Sequence, residues 1–399
     1  MLGRWLITPW PGLIYSAGIQ WAAWTGNSRA QAMRHARQSA APNGPFDLII
    51  HCASLGEYWM IQPLVHQWHK EGQRLLITLF STSGEPVRQD APCAVTYLPM
   101  DRPRAIKTFL NQTQPRAVLF VKYDLWPVFT AHLRRRDIPY GLALAHTPRG
   151  HRWVRRGSLI SRPGLKNLAF CAQQTAAGAQ AWRSAGLGEA AVAGDGRVDA
   201  VRQRAAQWQP IKGMEDFLDG RNLIILGSAW DDEVNMMLPL ILKFPKVQVV
   251  IAPHDVSKAE AIAAKLPVSY VKWSNWTPGE HLREARVLIV DTVGDLFQIY
   301  GHGDMALVGG AFGPGLHNIL EPLAFGLPVS FGPKLDQHWE AQAAIEAGIG
   351  HVVRDSTSLQ KWIEAEMRQN RHDAIEAFMT HHSGAMSRLN QLVQMHLFQ

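Results

Sequence analysis

The sequence predicts an α/β protein of two doubly wound halves, each a parallel sheet covered by helices on both faces. Three observations carry that expectation. From Asp47 onward, short apolar runs rich in Ile, Leu and Val alternate with stretches of helical length, as strands buried on both faces require. The alternation lapses over Val198–Gly220, which is polar and holds no clear strand, and then restarts. Each half is long enough to close its own core. Two such halves joined by one linker leave a cleft, and ligands of such sheets bind outside the carboxyl ends of the strands.

The elements follow in order. In the first half FDLIIHCA, RLLITLF, AVTYLP, AVLFVKYD, YGLALAHT and NLAFCAQQ read as strands, being short apolar runs bounded by polar or turn residues. SLGEYWMIQPLVHQWHKEG, RAIKTFLNQTQP and WPVFTAHLRRRD read as the helices between them. In the second half the strands are NLIILGS, VQVVIAPH, VSYVKW, RVLIVDT, DMALVGGAF and LPVSFGP, with helices around Glu233–Leu242 and Ser257–Lys265.

Composition narrows the partners. Of 399 residues, 47% are hydrophobic and 18% charged, which supports sizeable cores and argues against disorder. The formal net charge of +7 suits an anionic partner. No nucleic-acid-binding motif is recognisable, so a phosphate-bearing substrate or a membrane face is the better match. The three cysteines, Cys52, Cys93 and Cys171, have no paired spacing, which disfavours a disulfide framework or zinc site.

Between Arg4 and Arg29 there is no charged side chain, and Trp5, Trp10, Trp21 and Trp24 fall within that stretch. Pro9 and Pro11 leave Gly12–Trp24 as its longest candidate helix. At about 1.5 Å per residue this is too short to cross a hydrocarbon core about 30 Å thick. Tryptophans followed by Arg29, Arg34 and Arg37 suit a helix lying at the headgroup level. A buried helix and a secretory signal are the alternatives.

The candidate chemistry sits where strands end. Residues 309–326, GGAFGPGLHNILEPLAFG, run from a strand through glycines, which let backbone approach a ligand closely. A helix is expected to start near His317 or Asn318 and to run to Phe325, with phosphate favoured at its start. Glu321 then lies about one turn in, where a carboxylate can accept from ribose hydroxyls. GSAW, residues 227–230, repeats the logic with Gly227 and Ser228 at a strand end, and Asp231, Asp232 and Glu233 open the next helix. For Asp231 and Asp232, helix capping is a better explanation than a metal site. IAPHD places His254 at another strand end.

In the first half, HCASLGEYW sets Gly56 and Glu57 between a strand and a helix. Glu57 can serve there as a general base, or merely as a first-turn acid favouring the helix dipole. STSGEP with Ser83 reads as an anion-binding or turn segment. Lys122 and Asp124 of VKYDLWP are expected on one strand face at the cleft rim, or as a surface ion pair.

Taken in order, SLGE, YLPMDRPRAIKTFL, KYDLWP, GDGRVD, GSAWDDE, IAPH and GGAFGPGLHNILEPLAFGLPVSFGP resemble the 3-deoxy-D-manno-octulosonic acid (Kdo) transferases over nearly the whole chain. The resemblance implies the GT-B fold, with two Rossmann-like domains facing each other across the active site. It implies transfer of Kdo from CMP-Kdo to a lipid A precursor, lipid IVA, at the cytoplasmic face of the bacterial inner membrane, without a metal or other cofactor. It implies an interfacial anchor over residues 1–35, an acceptor-binding domain over 36–205 and a CMP-sugar-binding domain over 206–399. Glu57 is then the general base. Gly56, Ser83, Lys122 and Asp124 meet the acceptor. Gly227, Ser228, His254, Gly310, His317, Asn318 and Glu321 hold the nucleotide. Lys122 stands where many members carry an acidic residue. Another GT-B enzyme using a UDP-sugar and a non-catalytic lipid-binding relative are the alternatives.

Overall fold

The computed structural model describes residues 41–81, 84–122, 125–147, 162–278, 282–335 and 338–398. The expected anchor segment 1–35, Ser83 and Asp124 lie outside them. The chain divides into two compact units. The first comprises the described residues up to Ala200 together with 383–398, and the second runs from Val201 to His382.

The first unit carries seven parallel strands. They are β1 (Phe46–Cys52), β2 (Leu75–Leu79), β3 (Ala94–Tyr97), β4 (Pro115–Val121), β5 (Tyr140–Ala145), β6 (Cys171–Gln173) and β7 (Ala191–Val192). They lie in the order β3-β2-β1-β4-β5-β6-β7, so the winding reverses between β1 and β4. Leu48, Ile50, Ile77 and Leu119 pack toward one layer of helices, and Ile49, Leu76, Val118 and Phe120 toward the other. This two-sided burial explains the unbroken apolar runs. The helices between these strands include α1 (Leu55–Lys70), α2 (Pro103–Thr113), α3 (Pro127–Arg135) and α4 (Ala176–Ser184), and α5 (Gly196–Ala206) spans the boundary between the units.

The second unit repeats the plan with β8 (Asn222–Ala229), β9 (Val247–Pro253), β10 (Tyr270–Lys272), β11 (Val287–Ile289), β12 (Met305–Val308), β13 (Val329–Phe331) and β14 (Gly350–Val352). Their order is β10-β11-β9-β8-β12-β13-β14, and the reversal falls between β8 and β12. The helices that matter below are α6 (Asp231–Lys243), α7 (Leu296–Tyr300) and α8 (Leu320–Ala324).

Four expectations meet a different local structure. The helix expected over 257–265 is a 3-10 turn, Val256–Lys258, followed by Ala259–Ala263. The helix expected from His317 or Asn318 is only α8. Asn318 instead takes the Leu320 N–H on its side-chain oxygen at 3.1 Å, and His317 N–H closes the preceding loop on Gly309 O at 3.1 Å. Lys122 is not on the face of β4: the strand ends at Val121, and Lys122 turns out of it with φ of 66°. The chain also leaves the second unit before its end. Helix α9 (Ala385–His396) packs on α1 and β5 of the first unit, where Leu389 and Val393 are fully buried. Asp199 accepts the N–H groups of Gly384 and Met386 at 2.7 and 2.8 Å, and Trp68 Nε1 donates to Asn390 at 2.7 Å.

Candidate active site

Each unit gathers polar side chains at the carboxyl ends of its strands, beside the reversal in its winding, where doubly wound sheets bind ligands.

In the first unit β1 delivers the chain to Ser54, and α1 begins at Leu55. Glu57 lies in the first turn and is 9% exposed. Its Oε2 accepts the Ala53 N–H at 2.5 Å, which ties the side chain back to the strand end. Gly56 is exposed, and the nearest atom to a Cβ there is Ser54 Oγ at 4.0 Å, so the backbone beside Glu57 is open. The loop after β2 closes on the loop after β1 through Ser81 N–H to Ala53 O at 2.8 Å. Lys122 starts the loop after β4, its N–H donating to Ala143 O at 2.8 Å.

Beneath this rim is a layer that sequence reasoning missed. His51, on β1, is fully buried. Its Nδ1 meets Thr78 Oγ1 at 2.9 Å, and its Nε2 accepts the Trp126 indole N–H at 3.3 Å. One imidazole therefore joins the ends of β1 and β2 to the loop after β4. Trp126 also packs on Phe80 with ring centroids 4.7 Å apart. Asp101, 2% exposed, accepts the N–H groups of Val128 and Phe129 at 2.9 and 2.8 Å, capping α3 from a distant loop. Burial pushes its carboxyl up to about 6. The signals were a histidine in an apolar strand and an aspartate before Pro103, both faint without their partners.

In the second unit the turn after β8 lies against the glycine loop after β12. A Cβ on Gly309 would stand 2.3 Å from Ser228 O, and one on Gly227 would collide with Tyr300 Oη. Gly310 has φ of 97°, and a Cβ there would meet Gly315 O at 2.2 Å. These positions accept only glycine. Ser228 carries a Cβ and still holds φ of 50°. The loop folds on itself, with Gly313 and Gly315 N–H groups donating to Gly310 O at 3.1 and 3.0 Å.

Three rings crowd the rim. Trp230 and His254 are stacked, 4.4 Å apart and 15° from parallel, and His254 lies 4.8 Å from His317. Trp230 Nε1 donates to His317 Nε2 at 3.4 Å. Burial, reinforced by His254 and His338, holds His317 below the ordinary histidine value, so it is neutral at pH 7. Trp230 and His254 also line a cavity of about 450 Å³ with Pro253, Asp255, Lys258 and Val293. That size is within the range of small-ligand sites.

Glu321 lies in the first turn of α8. Asn318 Nδ2 donates to its Oε1 at 3.3 Å. Burial raises its carboxyl above the ordinary value, against the pull of Arg204. Glu233 is fully buried, with Oε2 accepting from Trp230 N–H and Oε1 from Gly310 N–H, both at 2.9 Å. The structure thus brings Gly227, Ser228, His254, Gly310 and His317 to one edge of the second sheet, with Asn318 and Glu321 following in the same loop and helix. Trp230 and Glu233 are additions to that set. Among the described residues no group of three His, Cys, Asp or Glu could hold a metal ion, and no helix is long and apolar enough to cross a membrane.

Comparison with known proteins adds four likenesses. Residues 25–200 match the profile of a family described as 3-deoxy-D-manno-octulosonic-acid transferase (kdotransferase). The 3-deoxy-D-manno-octulosonic acid transferase of Haemophilus influenzae is 27% identical over 388 residues, 88% of each chain. The enzyme of that name from Aquifex aeolicus is 27% identical over 324 residues, covering 78% of this chain and 83% of its own. Among solved structures, a UDP-N-acetylglucosamine 2-epimerase superposes with a TM-score of 0.64 at 14% identity, over 89% of this chain and 97% of its own. That last likeness concerns the fold alone.

Proposed function

We propose that the chain, which is similar to the Kdo transferases, moves Kdo from CMP-Kdo to a lipid A precursor, lipid IVA, in lipopolysaccharide biosynthesis. The observation that carries this reading is the glycine-walled edge of the second sheet. Gly227, Gly309 and Gly310 leave no room for side chains against their neighbours, and His254, His317 and Glu321 stand beside them. Backbone that close, with two imidazoles and a carboxyl group nearby, suits a nucleoside monophosphate: donors for the phosphate, and an acceptor for ribose hydroxyls.

In the first unit Glu57 is the general base. It removes the proton from an acceptor hydroxyl as that oxygen attacks C2 of Kdo, and CMP departs with the bonding pair of the anomeric C–O bond. N–H donors of the second unit stabilise the charge that develops on the leaving phosphate. Gly56 and Lys122 serve acceptor binding, a role that the family resemblance also gives to Ser83 and Asp124. No metal enters the scheme. Such a protein works at the cytoplasmic face of the inner membrane, held there by residues 1–35 and by attraction of its basic surface to anionic lipid.

The test is transfer of labelled Kdo from CMP-Kdo to lipid IVA, run beside a panel of UDP-sugars. Incorporation from CMP-Kdo alone supports the proposal; incorporation only from a UDP-sugar overturns the donor, and none from any donor overturns the enzyme.

A further inference from the structure

We propose that Glu233 is a positioning residue for the donor site, tying the turn after β8 to the glycine loop after β12 and so setting the gap that receives the nucleotide. This rests on the reading of that edge as nucleotide-binding.

The two carboxylate oxygens have separate tasks. Oε2 accepts the N–H of Trp230, the residue just before α6. That bond is half of an ordinary capping box, and α6 needs nothing more from its third residue. Oε1 reaches out of the helix to Gly310 N–H, 77 residues along the chain. A cap alone is equally well served by a solvated side chain, whereas a fully buried carboxylate is costly unless its oxygens are hydrogen-bonded. Both oxygens are.

The residues it joins are those whose placement is most constrained. Trp230 carries the ring that stacks on His254 and donates to His317. Gly310 adopts a left-handed conformation and packs so closely on Gly315 O that no side chain fits. Ser228, two residues before Trp230, is held at φ of 50°, which a residue with a Cβ resists unless its surroundings impose it. β8 and β12 are neighbours in the sheet and flank the reversal in winding. The carboxylate therefore spans the crevice where the ligand of a doubly wound sheet enters. The ionised form serves both bonds best, being acceptor-only on both oxygens; burial raises the carboxyl above its ordinary value, against the N–H groups it accepts.

The test uses the full chain with two substitutions. Glu233→Asp keeps the charge and can still cap α6, but is a methylene too short to reach Gly310. Glu233→Gln keeps the length and loses one acceptor. Each is measured by thermal melting, by amide hydrogen exchange of residues 309–318 without nucleotide, by calorimetric titration with CMP, and by steady-state transfer. Glu233→Asp should melt near the wild type, exchange the Gly310 amide faster, and bind CMP about tenfold more weakly, the loss of one charge-assisted hydrogen bond. The KM for the sugar donor should rise in step while that for the lipid acceptor holds. Glu233→Gln should move the same way. Wild-type exchange and CMP affinity in both variants overturn the proposal, and so does failure of both to fold, which would make the carboxylate a cap and no more. A wild-type chain that binds no CMP overturns the functional reading instead, and the exchange measurement still decides whether Glu233 fixes the loop.

Discussion

Trp230 lies flat against His254, with ring centroids 4.4 Å apart and planes 15° from parallel. The two residues directly follow the adjacent strands β8 and β9, and His254 N–H donates to Ala229 O at 2.9 Å, so backbone and rings are joined at the same place. Trp230 keeps 37% of its surface exposed and lines the cavity of the second unit. An exposed indole held rigidly beside a cavity offers a ligand a flat wall at little entropic cost.

Trp230→Ala removes that wall together with the indole bond to His317. Aromatic pairs contribute about 0.5–1.5 kcal/mol beyond their buried area. CMP affinity should therefore fall roughly 2- to 10-fold, with Trp230→Phe retaining most of it. Calorimetry with CMP reads the effect, and unchanged affinity in the alanine variant would remove Trp230 from the site.

Glu57→Gln preserves size and the hydrogen bond from Ala53 N–H, because the amide oxygen can still accept it. It removes the base. A positioned base contributes about 10²–10⁴-fold, so transfer should slow by at least about a hundredfold while melting and CMP affinity hold. Turnover close to that of the wild type would show that another group takes the proton.

The strands that fill both sheets were legible because each is a run of apolar residues, and burial on two faces leaves no alternation to confuse the reading. β7 escaped because Ala191 and Val192 are exposed, and β14 because Gly350–Val352 is short and only half covered. Return of α9 to the first unit could not be read locally: Leu389 and Val393 mark an amphipathic helix, but nothing in them says which unit they cover. Within the site, the glycines and His254 announced themselves by position at strand ends. Glu233 read only as one of the acids that open α6; its bond to Trp230 N–H is local, and its second oxygen acquires meaning only when Gly310 is brought to it by the pairing of β8 with β12.

Asp101 joins stability to pH. Its carboxyl is raised from 3.8 to about 6 by burial, against the two N–H groups of α3 that it accepts. Between those values the native protein holds a proton that the unfolded chain releases. The stabilisation is therefore full below 3.8 and lost as pH rises through 6. Asp101→Asn retains an acceptor and does not titrate. Stability of the wild type relative to this variant, from urea unfolding at several pH values, should decline between pH 4 and 7 by on the order of 1–3 kcal/mol. A difference that stays flat across that interval would mean the carboxyl titrates at its ordinary value. Asp101→Ala, which strands two buried N–H groups, should lose about 1–3 kcal/mol at pH 5.

His317 works in the opposite sense. Burial, with His254 and then His338 beside it, lowers its value below 6.5. In the window beneath 6.5 the unfolded chain binds a proton that the native imidazole refuses. The stability it contributes is present above 6.5 and drains away as pH falls through the native value. The charged ring would also lose its capacity to accept the Trp230 indole N–H, since both nitrogens then carry hydrogens. His317→Gln keeps an acceptor near the indole and cannot take up a proton in this range. Wild-type stability should fall more steeply than that of the glutamine variant between pH 7.5 and 5.5, roughly one unit either side of an ordinary histidine. The imidazole resonances of His317 should begin to shift only below the ordinary histidine midpoint. Parallel stability curves for the two proteins, or a His317 midpoint at or above 6.5, would show that the ring is as open to protonation as one in water.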